Sequence, residues 1–170
     1  MHNKVVHTLA RTYARRGMRT VRFNYRGVGN SAGSYADGIG ETQDALAVVD
    51  WIMQRESASA LHLAGFSFGG MVALRAALER LPASLVTVAP AVRFFDGEFR
   101  PPECRWLVLQ GEADEIVSAA DVGQWVRSLS RTPTLQSFSE VGHFFHGALG
   151  QVGDAVNSFL DASNESESER

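Results

Sequence analysis

The sequence predicts an α/β fold: a mainly parallel sheet with helices on both faces. Three observations carry this reading. Short apolar runs alternate along the whole chain with segments whose apolar residues recur at helical spacing. The segments between successive runs are long enough for crossover helices, which parallel strands require. The size and composition, 170 residues with 45% hydrophobic and 21% charged content, suit one globular domain with a sizeable core.

The elements follow in order. Val5, Val6, Leu9, Ala10 and Tyr13 predict a first helix, stopped by Gly17. Thr20 to Tyr25 reads as a strand, and Gly27, Gly29, Asn30, Ser31, Gly33 and Ser34 as a long loop. The glycine spacing in that loop departs from the dinucleotide fingerprint, and no lysine follows as in a P-loop. Ala45, Val48, Val49 and Ile52 give the next helix one buried face, with Glu41 and Asp44 in its first turn, where the helix dipole favours acids. Leu61 to Ala64 is a strand, and Met71 to Arg80 a helix ended by Pro82. Leu85 to Ala89 and Arg105 to Gln110 are strands, the first stopped by Pro90. Val122, Trp125, Val126 and Leu129 mark a helix, Thr134 to Phe138 the last strand, and Leu149, Val152, Val156 and Phe159 the final helix. Residues 1–162 thus read as the core. Ser163 to Arg170 contains no apolar residue and reads as a disordered acidic tail.

Composition narrows the function classes. A net charge of −3 argues against nucleic acid or an anionic membrane as partner. No apolar run approaches membrane-spanning length. Cys104 is the single cysteine, so no intramolecular disulfide forms, and a reduced thiol in a cytoplasmic protein is expected. Basic residues from Lys4 to Arg26 precede the first acid, Asp37, as in a transit peptide. The segment runs straight into a strand and loop that the fold needs, which a removable peptide would not carry.

The chemistry concentrates at Gly65-Phe66-Ser67-Phe68-Gly69. An apolar strand ends in Gly-x-Ser-x-Gly and a helical pattern starts at once, the context in which a serine becomes a nucleophile. The turn is so tight that its flanking positions must be small, which Gly65 and Gly69 satisfy. The helix starting at Phe68 points its positive end at the site and offers the Phe68 amide to an oxyanion. Later strand ends carry Gly111-Glu112-Ala113-Asp114-Glu115-Ile116-Val117 and Gly142-His143-Phe144-Phe145-His146. Serine, carboxylate and histidine therefore occur in the order Ser…Asp…His, each at a strand end. Serine needs a neutral imidazole to take its proton, and the imidazole needs an acceptor on its other nitrogen. Asp114 is preferred over Glu112 and Glu115 because it fits the G-x-x-D-x-x-V phrase. His143, at the loop tip after Gly142, is preferred over His146. A metal site at His143 and His146 lacks a helix and an acidic partner, so no metal or cofactor is expected. His2, His7 and His62 read as terminus, helix surface and strand.

Phe23-Asn24-Tyr25-Arg26-Gly27-Val28-Gly29-Asn30-Ser31-Ala32-Gly33-Ser34, Gly38-Ile39-Gly40-Glu41, Gly65 to Gly70 and His143 to Gly147 together resemble a bacterial family of small, lidless α/β-hydrolases. That family lies near serine aminopeptidase-like and dienelactone hydrolase-like proteins, and the likeness covers nearly all of the chain except the tail. It implies Ser67 as nucleophile, Asp114 as acid, His143 as base and Phe68 as one oxyanion-hole amide. Dienelactone hydrolases use cysteine where this chain has Ser67. Arg26 matches a loop that shapes the site in the family; a structural hydrogen-bond donor is the equal alternative. Family members also carry strands before the first helix, ending in a His-Pro-His-Pro-like loop that lends a second oxyanion amide. Here the chain enters the helix directly from Met1-His2-Asn3. An N-terminally shortened sheet is therefore expected, in which Thr20 to Tyr25 either pairs with Leu61 to Ala64 or stands apart.

Two functions are in view. The first is a serine hydrolase of small esters, thioesters or amides, working through an acyl-enzyme on a small-molecule acyl substrate. The short stretch between Ala89 and Arg105 leaves no room for a lid, and without a recognition domain an ester is favoured over a peptide. The second is a catalytically impaired scaffold of the same fold, lacking half its oxyanion hole.

Overall fold

Four strands carry the site: β1 (His62–Phe66), β2 (Ser84–Val88), β3 (Arg105–Gly111) and β4 (Thr134–Phe138). They pair in sequence order, β1-β2-β3-β4, and every pair is parallel. The structure, a computed structural model, describes residues 3–56, 60–95 and 99–168, with backbone alone for 163–168. Five helices complete it: α1 (Lys4–Arg15), α2 (Ile39–Glu56), α3 (Phe68–Glu79), α4 (Ala119–Ser128) and α5 (Leu149–Ser168). A 3-10 turn, Val92–Phe94, lies between β2 and β3.

Alternation along the strands sorts side chains onto two faces. Val86, Val88, Leu107 and Leu109 join α1 and α5 in one core, with Val5, Leu9, Val152 and Val156. Leu85, Trp106 and Val108 join α3 and α4 in the other, with Leu74, Val122 and Val126. The right-handed rule for parallel crossovers explains why α3 and α4 share a face when strand order is sequential. One polar pair is buried in the sheet: the Trp106 indole donates to Thr87 Oγ1 at 3.0 Å. The cores hold the sheet from both sides, so the carboxyl ends of all four strands open at one rim.

The observed elements agree with the sequence reading except at three places. Thr20 to Tyr25 forms no strand. A strand is defined by its ladder, and among the described residues β1 pairs on one edge only, with β2. Residues 20–22 are exposed, while Phe23 and Tyr25 meet edge to face at 5.2 Å and pack toward α2 and α3. The segment therefore stands apart from the sheet and is anchored by side chains. Second, α2 begins at Ile39, so Glu41 lies in its first turn and Asp44 in the next. Third, α5 continues to Ser168 through the segment read as a tail; residues 169 and 170 lie outside the described residues.

Two acids hold the long loop onto α2. Asp44 takes the Arg26 guanidinium through Nε and Nη2, at 3.1 and 2.7 Å to Oδ1, and accepts the Arg26 backbone N–H at 2.9 Å. Arg26 is thus a structural donor, and its guanidinium lies where any side chain at Gly40 would collide with it. Glu41 is 1% exposed and accepts the N–H groups of Ala36 and Gly38, both at 2.9 Å. Burial pushes the Glu41 carboxyl up, but those backbone donors and the Arg26 charge outweigh it and leave it below its usual value. The Arg26 hydrogen bonds likewise hold Asp44 low, against its partial burial. Carboxyls lowered by folding stabilise the fold above their unfolded values, near pH 4, and lose that contribution as pH falls through the folded values. Glu41→Gln should therefore cost about 1–3 kcal/mol at pH 7 and melt with a shallower loss of Tm between pH 5 and pH 3 than the unsubstituted chain. Parallel pH profiles of Tm would contradict this role for Glu41.

Candidate active site

At the end of β1 the chain reverses into α3 within one residue. Ser67 is that residue, with φ 53° and ψ −119°, a region costly for a residue with a side chain. The turn is pinned on all sides. Ser67 N–H donates to the Val88 carbonyl at 2.8 Å, and its carbonyl accepts from Gly70, Met71 and Ala91 at 2.9, 3.2 and 3.3 Å. A side chain at Gly65 would come within 2.1 Å of the Gly69 carbonyl oxygen, so strand and helix touch backbone to backbone. Gly69 differs from the expectation: a Cβ there would meet only Tyr25 Oη, at an ordinary 3.5 Å. Among the described residues the N–H groups of Phe68 and Gly69 make no hydrogen bond. They are the free donors of a helix N-terminus, beside the Ser67 side chain.

His143 arrives from the loop after β4. Its ring is buried, 3% exposed, with Nε2 at 3.0 Å from Ser67 Oγ and Nδ1 at 2.8 Å from Asp114 Oδ2. The ring also packs on Phe66, at 4.9 Å between centroids. Asp114, in the loop after β3, accepts from Ile116 and Val117 N–H through Oδ1 at 2.9 and 2.7 Å. Burial pushes the Asp114 carboxyl up, but the hydrogen bonds from Val117, His143 and Ile116 outweigh it, so the carboxyl sits below its usual value and is ionised at neutral pH. The structure therefore brings Ser67, His143 and Asp114 into one hydrogen-bonded row. The alternatives fall elsewhere. Glu112 accepts from Ser139 Oγ on the surface, and His146 is exposed, touching Phe144. Ser84 starts β2 at the opposite end of the sheet, where it pairs with His62.

Three residues that the sequence reading gave no part in the site, or another one, support this row. Glu115 accepts the His143 backbone N–H at 3.2 Å, so the rival acid acts as an anchor for the loop. Gln110 is buried at the end of β3 and donates to Asp114 Oδ2, Gly111 and Val117 carbonyls at 3.0–3.1 Å. A polar residue closing the apolar run Trp106-Leu107-Val108-Leu109 was its available signal. Tyr25 reaches across to Gly69 and meets the Phe68 ring at 5.9 Å. Burial, then the charges of Glu41 and Asp44, push its hydroxyl up to about 12, so it remains protonated. A cavity of about 430 Å³ lies between the starts of β3 and β4 and α5, lined by Arg105, Thr134 and Phe159. It is at the far end of the sheet from Ser67. Cys104 lines it too, with its thiol pushed up by burial and so a poor nucleophile.

Known proteins share this fold. An α/β serine hydrolase without a lid from Xanthomonas campestris superposes with a TM-score of 0.90 at 42% identity, over 95% of this chain and 74% of that one. An α/β serine hydrolase homologue from Coxiella burnetii gives 0.86 at 39%, over 91% and 75%. An uncharacterised protein of Rickettsia prowazekii (strain Madrid E) is 32% identical over 94% of this chain and 72% of its own length. Fold and site define a lidless α/β-fold serine hydrolase. Residues 1–100 match the X-Pro dipeptidyl-peptidase (S15) family model, and the chain belongs to that family.

The glycine geometry makes a prediction of contrast. Gly65→Ala should destabilise the protein by about 1–3 kcal/mol through overpacking, whereas Gly69→Ala should stay within about 0.5 kcal/mol, since its Cβ finds room in a helix. Thermal unfolding of the two variants reads this, and equal losses would refute the backbone contact as the tight point.

Proposed function

We propose that the protein hydrolyses small esters, thioesters or amides, with esters favoured over peptides, through an acyl-enzyme on Ser67. The observation that carries this is the unbroken row from Ser67 Oγ through His143 to Asp114, next to the free Phe68 N–H. His143 Nε2 takes the Ser67 proton as Oγ attacks the carbonyl carbon. The oxyanion that forms is met by the Phe68 N–H and the positive end of α3. His143 then gives the proton to the leaving oxygen, and the acyl group stays on Ser67. Water, deprotonated by the same nitrogen, attacks the acyl carbon, which releases the acid and restores the serine. Asp114 holds Nδ1–H in place and stabilises the imidazolium between these steps.

Ester rather than peptide substrate is favoured by the openness of the rim: between β2 and β3 the described residues form only the turn Val92–Phe94. The alternative, an impaired scaffold, differs in having no turnover that depends on the row. In assays with p-nitrophenyl acetate, Ser67→Ala should lower kcat at least a thousandfold. His143→Ala should cost nearly as much, and the double variant little more, because the two act as one unit. Asp114→Asn should be milder than either. Turnover that survives in Ser67→Ala, or additive losses in the double variant, would overturn the proposal; an Xaa-Pro p-nitroanilide cleaved faster than the ester would overturn the ester preference.

A further inference from the structure

Ser67 stands between two aromatic groups, one on each face of the sheet. Phe66, just before it, belongs to the core under α1 and α5. Phe68, just after it, packs with the cluster of α2 and α3. On the Phe68 side, Tyr35 and Phe94 lie at 5.8 and 6.0 Å from its ring, Phe94 edge to face. On the Phe66 side, Phe144 meets Phe66 at 6.2 Å and stands edge to face on the His143 ring at 5.2 Å. In each group one ring is left largely open to solvent: Tyr35 is 58% exposed and Phe144 43%. Exposed aromatic rings flanking a nucleophile on both sides are apolar surface at the place where a substrate must lie.

We infer that Tyr35, backed by Phe68 and Phe94, selects esters whose acyl group carries a flat aromatic ring, and that Phe144 holds an apolar alcohol group. This rests on the serine-hydrolase reading and adds the substrate class. The assignment of sides follows from the chemistry. His143 Nε2 must reach the leaving oxygen, so the alcohol lies on the side of the His143 ring, where Phe144 stands. The Phe68 N–H takes the oxyanion, and the acyl substituent extends away from His143, toward Tyr35. Ring stacking and edge-to-face contact then add affinity for aryl acyl groups over short alkyl ones. The loop that presents Tyr35 is held by Glu41 through the N–H groups of Ala36 and Gly38, so the ring is positioned in advance.

The test is a set of specificity ratios. With a constant p-nitrophenyl leaving group, kcat/KM is measured for the 3-phenylpropionate and the acetate. With a constant acetyl group, it is measured for benzyl and ethyl acetate. The unsubstituted protein should favour the phenylpropionate about tenfold or more, chiefly through KM. Tyr35→Ala should lower that ratio about tenfold and Tyr35→Phe should keep it, while neither alters the benzyl-to-ethyl ratio. Phe144→Ala should lower the benzyl-to-ethyl ratio and spare the acyl ratio. If Tyr35→Ala lowers both p-nitrophenyl esters equally, or the two variants affect the same ratio, the inference is overturned while the hydrolase reading stands. If no ester is turned over at all, both are overturned.

Discussion

The contact between Gly65 and the Gly69 carbonyl brings the end of β1 and the start of α3 closer than any side chain would allow. That closeness forces the chain to reverse at Ser67 with φ 53°, at a backbone cost of about 1–3 kcal/mol. Four backbone hydrogen bonds to Ser67, from β2, α3 and Ala91, offset the cost and leave the turn one conformation. The same reversal lifts the Ser67 hydroxyl off the sheet and leaves the Phe68 N–H unpaired beside it. The lifted hydroxyl and the free N–H are thus consequences of one packing constraint.

The other half of the site is held from a different part of the sheet. Asp114 and His143 come from loops after β3 and β4, and their relation depends on donors and acceptors within those loops. Asp114 has all its acceptor positions engaged, by two backbone N–H groups, Gln110 and His143. His143 is fixed at its backbone by Glu115 and at its ring by Phe66. A carboxylate so satisfied stays ionised although its side chain is buried, and leaves the imidazole one orientation. Among the described residues no α2 side chain hydrogen-bonds to this row, and Glu41 and Asp44 of α2 serve the loop that carries Tyr35.

Much of this was legible in the sequence because the relevant signals are local. Short apolar runs and period-3.6 patterns marked the four observed strands and five helices, and Ser67, Asp114 and His143 stood out as residues following strands in the order of the chain. The expected strand at Thr20 to Tyr25 has the right residues, yet strand formation depends on a partner, which no single segment encodes. Glu115 illustrates a second limit: next to Asp114 in sequence, it reads as a rival acid, and only the loop geometry turns it toward a backbone N–H. Gln110 acts within its own loop and shows only as a polar residue closing an apolar run, whereas Tyr35 meets Phe68 from a distant segment, where side-chain type gives no hint of partner.

The central claim is that the packed turn makes Ser67 the reacting nucleophile. It is tested most directly by treating the protein with a fluorophosphonate and locating the adduct by peptide mass spectrometry. The account predicts a single phosphonylated peptide containing Ser67, with labelling strongly slowed in His143→Ala although the fold is retained. Labelling at another serine, or at Ser67 with equal speed in the presence and absence of His143, would contradict it.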